Sequence, residues 1–573
     1  MDKPQMTPQL LPGLATTTTT GLNHGPGSPF HSNPDILGEI CEYLSPYDDP
    51  EVEPDQVKSA RQNLAWLALT CKAFLEPALD RLWRSLDTLY PLFRILPAFV
   101  QAEGTHVLRG RITPEEWERF DWYARRVKKF CYTRDPDSLD IAMHVYFRIA
   151  QLRSTPLLPA LRHLLCPDIS QSDFLISGVC LFLTPSLQTL EFFKITGVED
   201  KLTGTFLHTL WDDGAQLDAI AFRGGGLSPG TLNLILNFHK LRSLELTGMG
   251  SALELEWLKK LGAMPKLGDL AVDFTHSQIE VVETELGFRE LKSLMITAPL
   301  AFTRSVLPYI TSPSLEVLVA ASASDTATER TGYIEEVIRR WGSSIRDFSL
   351  VHLTSTTDST EEVQMINIAP LIPLKQLTGF RLEGYNTNLT DDHLRILGSA
   401  WPNLTKLLLP FAAGSDRVRP TIDSLRILAE LCPKLEHLRL PLNTLGLPNF
   451  VPPPAPSPIL FSPTWQDSTS DDAASPASAT STSTASLIAS LPLARLRPHG
   501  LQRLTIATSD DTWESKQQLN LARHIDYLFP RLRHVSCFED QDSERWSHVH
   551  EIVRAFQTVR TEALTRQRLG SIP

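Results

Sequence analysis

Residues 389–409 read LTDDHLRILGSAWPNLTKLLL, and three structural signals follow one another in them. Thr390 with Asp391 and Asp392 has the make-up of a helix start, a hydroxyl for the free amides and carboxylates facing the positive end of the dipole. Apolar residues at helical spacing then run to Trp401. Pro402 stops the helix and turns the chain, and Leu404-Thr-Lys-Leu407-Leu-Leu409 alternates as a strand does. The stretch encodes helix, proline, strand.

The strand half, L-x-x-L-x-L, recurs along the chain. Close copies begin at Leu187, Leu241, Leu291, Leu404 and Leu435, and looser ones at Val127, Leu161, Leu217, Leu267, Leu315, Ile345, Leu377, Leu501 and Leu532. From Val127 to Leu435 the starts return on average every 28 residues, and seven copies have a proline two places before the leading residue, as at Pro265, Pro313 and Pro433. Units of this kind bury their apolar faces only by stacking on their neighbours, so the pattern predicts a continuous array. The interval from Leu435 to Leu501 is longer because it holds an insert, 443–490, that opens on Pro452-Pro453-Pro454 and continues in Ser, Thr and Ala. The insert reads as a loop decorating the array, and the Pro-, Gly- and Thr-rich residues 1–30 as a disordered tail.

Units longer than 24 residues without a regular asparagine after the strand resemble the irregular leucine-rich repeats that accompany F-box domains. The resemblance implies an α/β fold, a horseshoe solenoid of strand–turn–helix repeats over 127–442 and 491–537, with the strands lining a concave binding face. Residues 538–573 are expected to cap it, with Trp546, Val549, Ile552, Val553 and Phe556 at helical spacing.

At the other end, Pro34-Asp35-Ile36-Leu37 is followed by Ile40 and Leu44, which the helical period gathers on one face. Further on come Leu64, Leu67, Leu69, Thr70-Cys71-Lys72, Phe74 and Leu82-Trp83. This order resembles an F-box in the divergent form common in large fungal families. Asn33 departs from it where leucine is usual, as does the long acidic turn from Tyr47 to Asn63. Residues 31–86 are therefore expected to be an all-α F-box-like module, and 87–126 a helical connection that caps the array. The resemblance implies binding to a Skp-type adaptor, and through it to a cullin–RING ligase, by Pro34, Ile36, Leu37, Ile40, Leu44, Leu67, Cys71 and Phe74. The other reading of this segment is a helical cap that merely closes the first repeat.

Composition narrows the function classes. The chain has 573 residues, 42% hydrophobic and 21% charged, which suffices to bury extended cores. A net charge of −12 argues against bulk attraction to nucleic acid. Seven cysteines without a C-x-x-C pair argue against a disulfide framework or a zinc site and suggest a reducing compartment. No signal peptide or membrane-length apolar run is visible, so a cytoplasmic or nuclear location is expected. No phosphate loop, nucleophile elbow or metal-binding H-E-x-x-H occurs, no cofactor is implied, and Gly224-Gly225-Gly226 reads as a turn.

The expected function is thus that of a non-enzymatic substrate receptor of an SCF-type (cullin–RING) ubiquitin ligase, the alternative being a leucine-rich-repeat scaffold with no ligase role. By strand alternation the third and fifth residues of each copy face the concave side. Reading them in order from the Leu187 copy finds no cation until Arg381, then Lys406, His437, Arg439 and Arg503. These five are the candidate docking residues for an acidic or phosphorylated segment of a substrate protein, or else solvated strand residues.

Overall fold

The computed structural model describes residues 33–45, 54–132, 141–169, 178–248, 253–275, 285–353, 362–410, 418–444, 499–507, 515–537 and 543–570. The tail at 1–30 and all but the first two residues of the insert expected at 443–490 lie outside them. The chain forms two compact units, Met1–Leu165 with Ser177–Leu187, and Cys166–Ile176 with Gln188–Pro573.

The first unit opens with three helices, α1 (Pro34–Tyr43), α2 (Pro54–Thr70) and α3 (Lys72–Leu82). The departure at residue 33 has a local reason: the Asn33 carboxamide accepts the Asp35 amide at 3.0 Å, and Pro34 follows at a position where no amide is needed. Cys41, Leu64, Ala68 and Ala78 form the centre of the module, and Leu44, Leu67, Phe74, Leu75, Leu79 and Leu82 pack round it. After α3 the chain enters a short strand, Ser85–Leu86, parallel to Lys129–Cys131. The array therefore begins one rung before the Val127 copy. The connection at 87–126 also differs from the helical expectation. Between the helices Tyr90–Phe93 and Pro114–Ala124 it holds an antiparallel hairpin, Phe99–Ala102 with Thr105–Leu108. Glu103 and Gly104 turn it with φ of 50° and 81°, the left-handed pair that suits a two-residue hairpin turn.

In the second unit the described residues include twelve parallel strands, from Thr189–Phe193 to His534–Cys537, in chain order and in register. The fourth residues of the copies lie side by side, as Ile220, Leu244, Leu270 and Leu294 do, and all are buried. Helices lie between many strands, and burial alternates along strands such as Thr189–Phe193, Ser243–Thr247 and Ser293–Thr297 because one sheet face is covered and the other open.

A backbone feature repeats at every step. The carbonyl of the residue after the leading apolar residue accepts two amides from the next copy. Arg346 accepts Thr378 and Gly379 at 2.7 and 3.0 Å, Thr378 accepts Thr405 and Lys406, and Thr405 accepts Glu436 and His437. The series crosses the insert unbroken, since Glu436 accepts Gln502 and Arg503 at 2.8 and 3.0 Å. On the helix side, indole N–H groups tie copies together: Trp257 donates to Leu232, Trp341 to Ser312 and Trp401 to Leu371. The glycine triplet is a turn whose backbone must come close to its neighbour, for a Cβ on Gly224 would lie 2.4 Å from the Ile195 amide nitrogen.

His499 restores the pattern just after the insert. Its Nε2–H donates to the Cys432 carbonyl at 3.0 Å, and its Nδ1 accepts the Leu501 amide at 3.1 Å. The second bond requires the neutral ring, and burial holds its pKa below the ordinary imidazole value. Burial lowers His437 and His550 as well. With folded pKa values depressed, the unfolded chain takes up protons first as the pH drops through about 6.5, so stability falls there and levels off below the folded values. Thermal unfolding between about pH 7.5 and about pH 5.5 should show a falling Tm, and His499→Gln should flatten that slope. An unchanged slope in the variant would mean the ring does not titrate with folding.

Candidate functional site

Two surfaces, one in each unit, bring together the residues singled out in the sequence. On the helical module the periodicity splits the adaptor candidates between two sides. Leu37 is turned inward and buried, so it does not share a face with Ile36 and Ile40, which are 37% and 41% exposed. The reason is the 100° step of the helix: α3 packs against α1 on the side of Leu37, Cys41 and Leu44, and neighbouring positions look away. Leu44, Leu67 and Phe74 are half-buried against the module's own core, while Pro34 and Cys71 are exposed.

The exposed apolar set includes residues the sequence reading did not assign. Tyr43, one turn beyond Ile40, is 92% exposed, and on α2 Trp66 and Leu69 are 58% and 67% exposed. Ile36, Ile40 and Tyr43 follow the i, i+4, i+7 spacing of one helix face, a signal present in the sequence. On α3, Arg81 is buried and ion-paired with Glu42. Burial raises the pKa of the Cys41 thiol, against the pull of Arg81, so it stays protonated as a core residue.

On the open face of the second unit the register sorts the five basic candidates into two rows. Lys406, His437 and Arg503 are direct neighbours, and Arg381 and Arg439 flank Leu408 in the row beside them. Two groups outside the sequence assignment complete the picture. His534 extends the first row, opposite Arg503. Glu383 ion-pairs with Arg381 and lies 3.7 Å from Arg439. Burial lowers the Arg439 pKa while Glu383 sustains its charge. Asp347, whose carboxyl burial pushes up, is drawn down again by Lys406 and Arg381. The second row is thus partly neutralised from within the sheet.

A buried polar cluster lies elsewhere in this unit. Asp325 accepts the Tyr385 hydroxyl at 2.8 Å, and its other oxygen lies 3.3 Å from Arg330 and 3.8 Å from His352. The Arg330 guanidinium carbon stands 5.3 Å from the centre of the Tyr385 ring. Burial raises the Asp325 pKa, and its hydrogen bond and neighbouring charges oppose the rise. The four residues come from three successive copies, so the cluster ties copies together. Among the described residues no group of three His, Cys, Asp or Glu side chains is arranged to hold a metal, and no helix is long and apolar enough to cross a membrane.

No family model matches the chain, and no curated protein matches it. Among solved structures, it is similar to one described as a TLR13–ssRNA13 complex, at 12% identity and TM-score 0.32, over 72% of this chain and 49% of that one. It is also similar to a leucine-rich-repeat protein of Leptospira interrogans, LIC12759, at 12% identity and TM-score 0.26, over 62% of this chain and 93% of that one. The chain thus spans about half the length of the first. Assignment to the leucine-rich-repeat class rests on the in-register strands and the doubly accepting carbonyls described above.

Replacing Asp325 with Asn would leave Arg330 buried beside a neutral group. The expected loss is about 3–5 kcal/mol, the usual cost of removing one partner of a buried pair. A denaturation midpoint close to that of the parent protein would show that the cluster is not a tie.

Proposed function

We propose that the chain is the substrate-recognition subunit of an SCF-type ubiquitin ligase, holding a Skp-type adaptor on its helical module and a protein substrate on the open sheet face. The observation that carries this reading is the apolar face of the module. Ile36, Ile40, Tyr43, Trp66 and Leu69 stand in water although the module's own core is complete without them. Exposed apolar residues, here three on one face of α1 and two on α2, mark contact surfaces, and Trp, Tyr and Arg are the residues most enriched where binding energy concentrates. The F-box-like order of the segment says which partner the face would take.

On this reading the chain supplies no catalytic group and acts in the cytoplasm or nucleus. It raises the effective concentration of acceptor lysines near a separately recruited conjugating enzyme. The substrate would meet Arg381, Lys406, His437, Arg439 and Arg503, which suit carboxylate or phosphate groups.

The test uses Ile40→Asp with Trp66→Asp, at positions the fold leaves exposed. Binding of the purified full chain to a purified Skp-type adaptor should weaken by at least about a hundredfold, since two unpaired carboxylates would enter an apolar contact. Thermal stability should stay near that of the parent. Adaptor binding that survives both changes would sink the assignment, and a parent chain that captures no adaptor would leave an interaction scaffold.

A further inference from the structure

The carbonyl that accepts two amides belongs, in each copy, to the residue at the start of the strand, and the side chains of these residues follow one another from copy to copy. In the second unit, charged neighbours at this position have opposite signs. Asp218 stands beside Arg242, whose guanidinium is 3.9 Å from it, and Glu316 stands between Lys292 and Arg346, the latter at 4.0 Å. In the first unit the same position holds Arg84, Lys128 and Arg162 in three successive copies. Arg84 accepts the Lys128 and Lys129 amides, both at 2.9 Å, and Lys128 accepts those of Arg162 and His163 at 2.8 and 3.0 Å. Three cations are thus joined backbone to backbone. Lys129 lies behind them, between Ser85 and His163 in the register, and the exposed Arg125 follows the helix Pro114–Ala124.

The carboxylates round this row are committed to other cations. Glu42 lies 4.0 Å from Arg84, but its closer partner is Arg81, on which Glu39 acts as well. Arg126 holds Glu76 and Asp80, Arg61 holds Asp87, and Arg153 holds Asp121. Glu115, Glu116 and Glu118 fall in the first half of the helix Pro114–Ala124, toward the other end from Arg125. Lys128 and Arg162 are exposed, and the Arg84 side chain is 38% exposed. Among the described residues no carboxylate pairs with Arg125, Lys128, Lys129 or Arg162. Like charges facing one another on adjacent strands are destabilising, so the fold gains nothing from the row. An anion laid across it would relieve the repulsion.

We propose that Arg84, Lys128 and Arg162 form a docking site for a short anionic segment of a partner protein, one that carries successive Asp or Glu side chains or a phosphorylated residue. Adjacent strands stand roughly 4.8 Å apart, so the row spans about 10 Å, the reach of three extended residues. The two arginines offer forks that suit carboxylate or phosphate, and Lys128 supplies a point charge between them. A nucleic acid is the poorer fit. Its affinity grows with the number of phosphates neutralised, and this patch is small on a chain of net charge −12. The site belongs to the first unit, whereas Arg381, Lys406, His437, Arg439 and Arg503 belong to the second. It stands whether or not the helical module holds an adaptor.

The experiment uses the full chain and short fluorescent peptides that differ only in a central block of glutamates, of serines, or of serines with one phosphoserine. By anisotropy, at least one anionic peptide should bind about tenfold tighter than the serine peptide, and more weakly as salt is raised. The tighter of the two names the anion, carboxylate or phosphate. Lys128→Glu with Arg162→Glu should abolish the preference. Lys128→Gln with Arg162→Gln should remove most of it while the Tm holds or rises, because the like-charge contacts are gone. Arg242→Glu with Arg346→Glu, the same change in net charge at paired positions, should leave the preference intact. Four results would overturn the proposal: anionic and serine peptides that bind alike, a glutamine pair that binds as the parent does, a glutamine pair whose Tm falls steeply, or a single-stranded RNA of similar length that binds more tightly than either anionic peptide.

Discussion

The carbonyl that accepts two amides from the following copy is the contact on which the rest of the second unit depends. Each copy offers a strand of only three to six residues, too short to hold its place by side chains alone. A slip of one residue would turn every buried leucine to the open face. Two amides converging on one carbonyl, at 2.7–3.0 Å at Arg346 and again at Glu436, pin the register where the strand starts. Everything downstream follows from that pin. Leading leucines fall at the same depth, fourth and sixth residues turn inward, and third and fifth residues line up as rows across copies.

That rule explains how much of the fold was legible in the sequence. L-x-x-L-x-L states the register directly, so the strands of the second unit fall on the copies read from leucine spacing, and the insert does not interrupt them. What escaped lacked a period. Ser85–Leu86 is a rung of two residues, too short to show alternation, and the hairpin at 99–108 interrupts a segment whose flanks are helical. The Asp325 cluster joins residues up to 60 positions apart, with no repeated spacing to betray them. On α1 the spacing identified an apolar helix and left its sides ambiguous, since Ile36 and Leu37 are equally apolar. Only the packing of α3 decides that Leu37 goes in and Ile36 stays out.

The candidate basic residues show the same division. Their positions on the open face followed from alternation, whereas their electrostatic state did not. Glu383 sits two residues beyond Arg381 on the same strand and reaches Arg439 two strands away, so one carboxylate restrains two guanidinium groups. His534 was readable as the third residue of the Leu532 copy, and its register beside Arg503 makes it part of the row. A partly exposed pair such as Arg381 with Glu383 contributes little to stability, on the order of 0–1 kcal/mol. Their consequence is directional: they hold charged side chains in place and set the sign of the field that an approaching partner meets.

The residues that stabilise each unit and those it leaves outward are different ones. In the array the register belongs to backbone groups and inward side chains, so the outward rows are left to vary without disturbing the ladder. In the module the core formed by Cys41, Leu64, Ala68 and Ala78 is closed without Ile36, Ile40, Tyr43, Trp66 or Leu69. Residues that the fold does not use, yet that are apolar or sorted by charge, are unfavourable or idle in the isolated chain. An apolar ring left in water gains on the order of 25 cal/mol for each Å² that a partner covers. The same surface that adds nothing to the chain alone is therefore where association has most to gain.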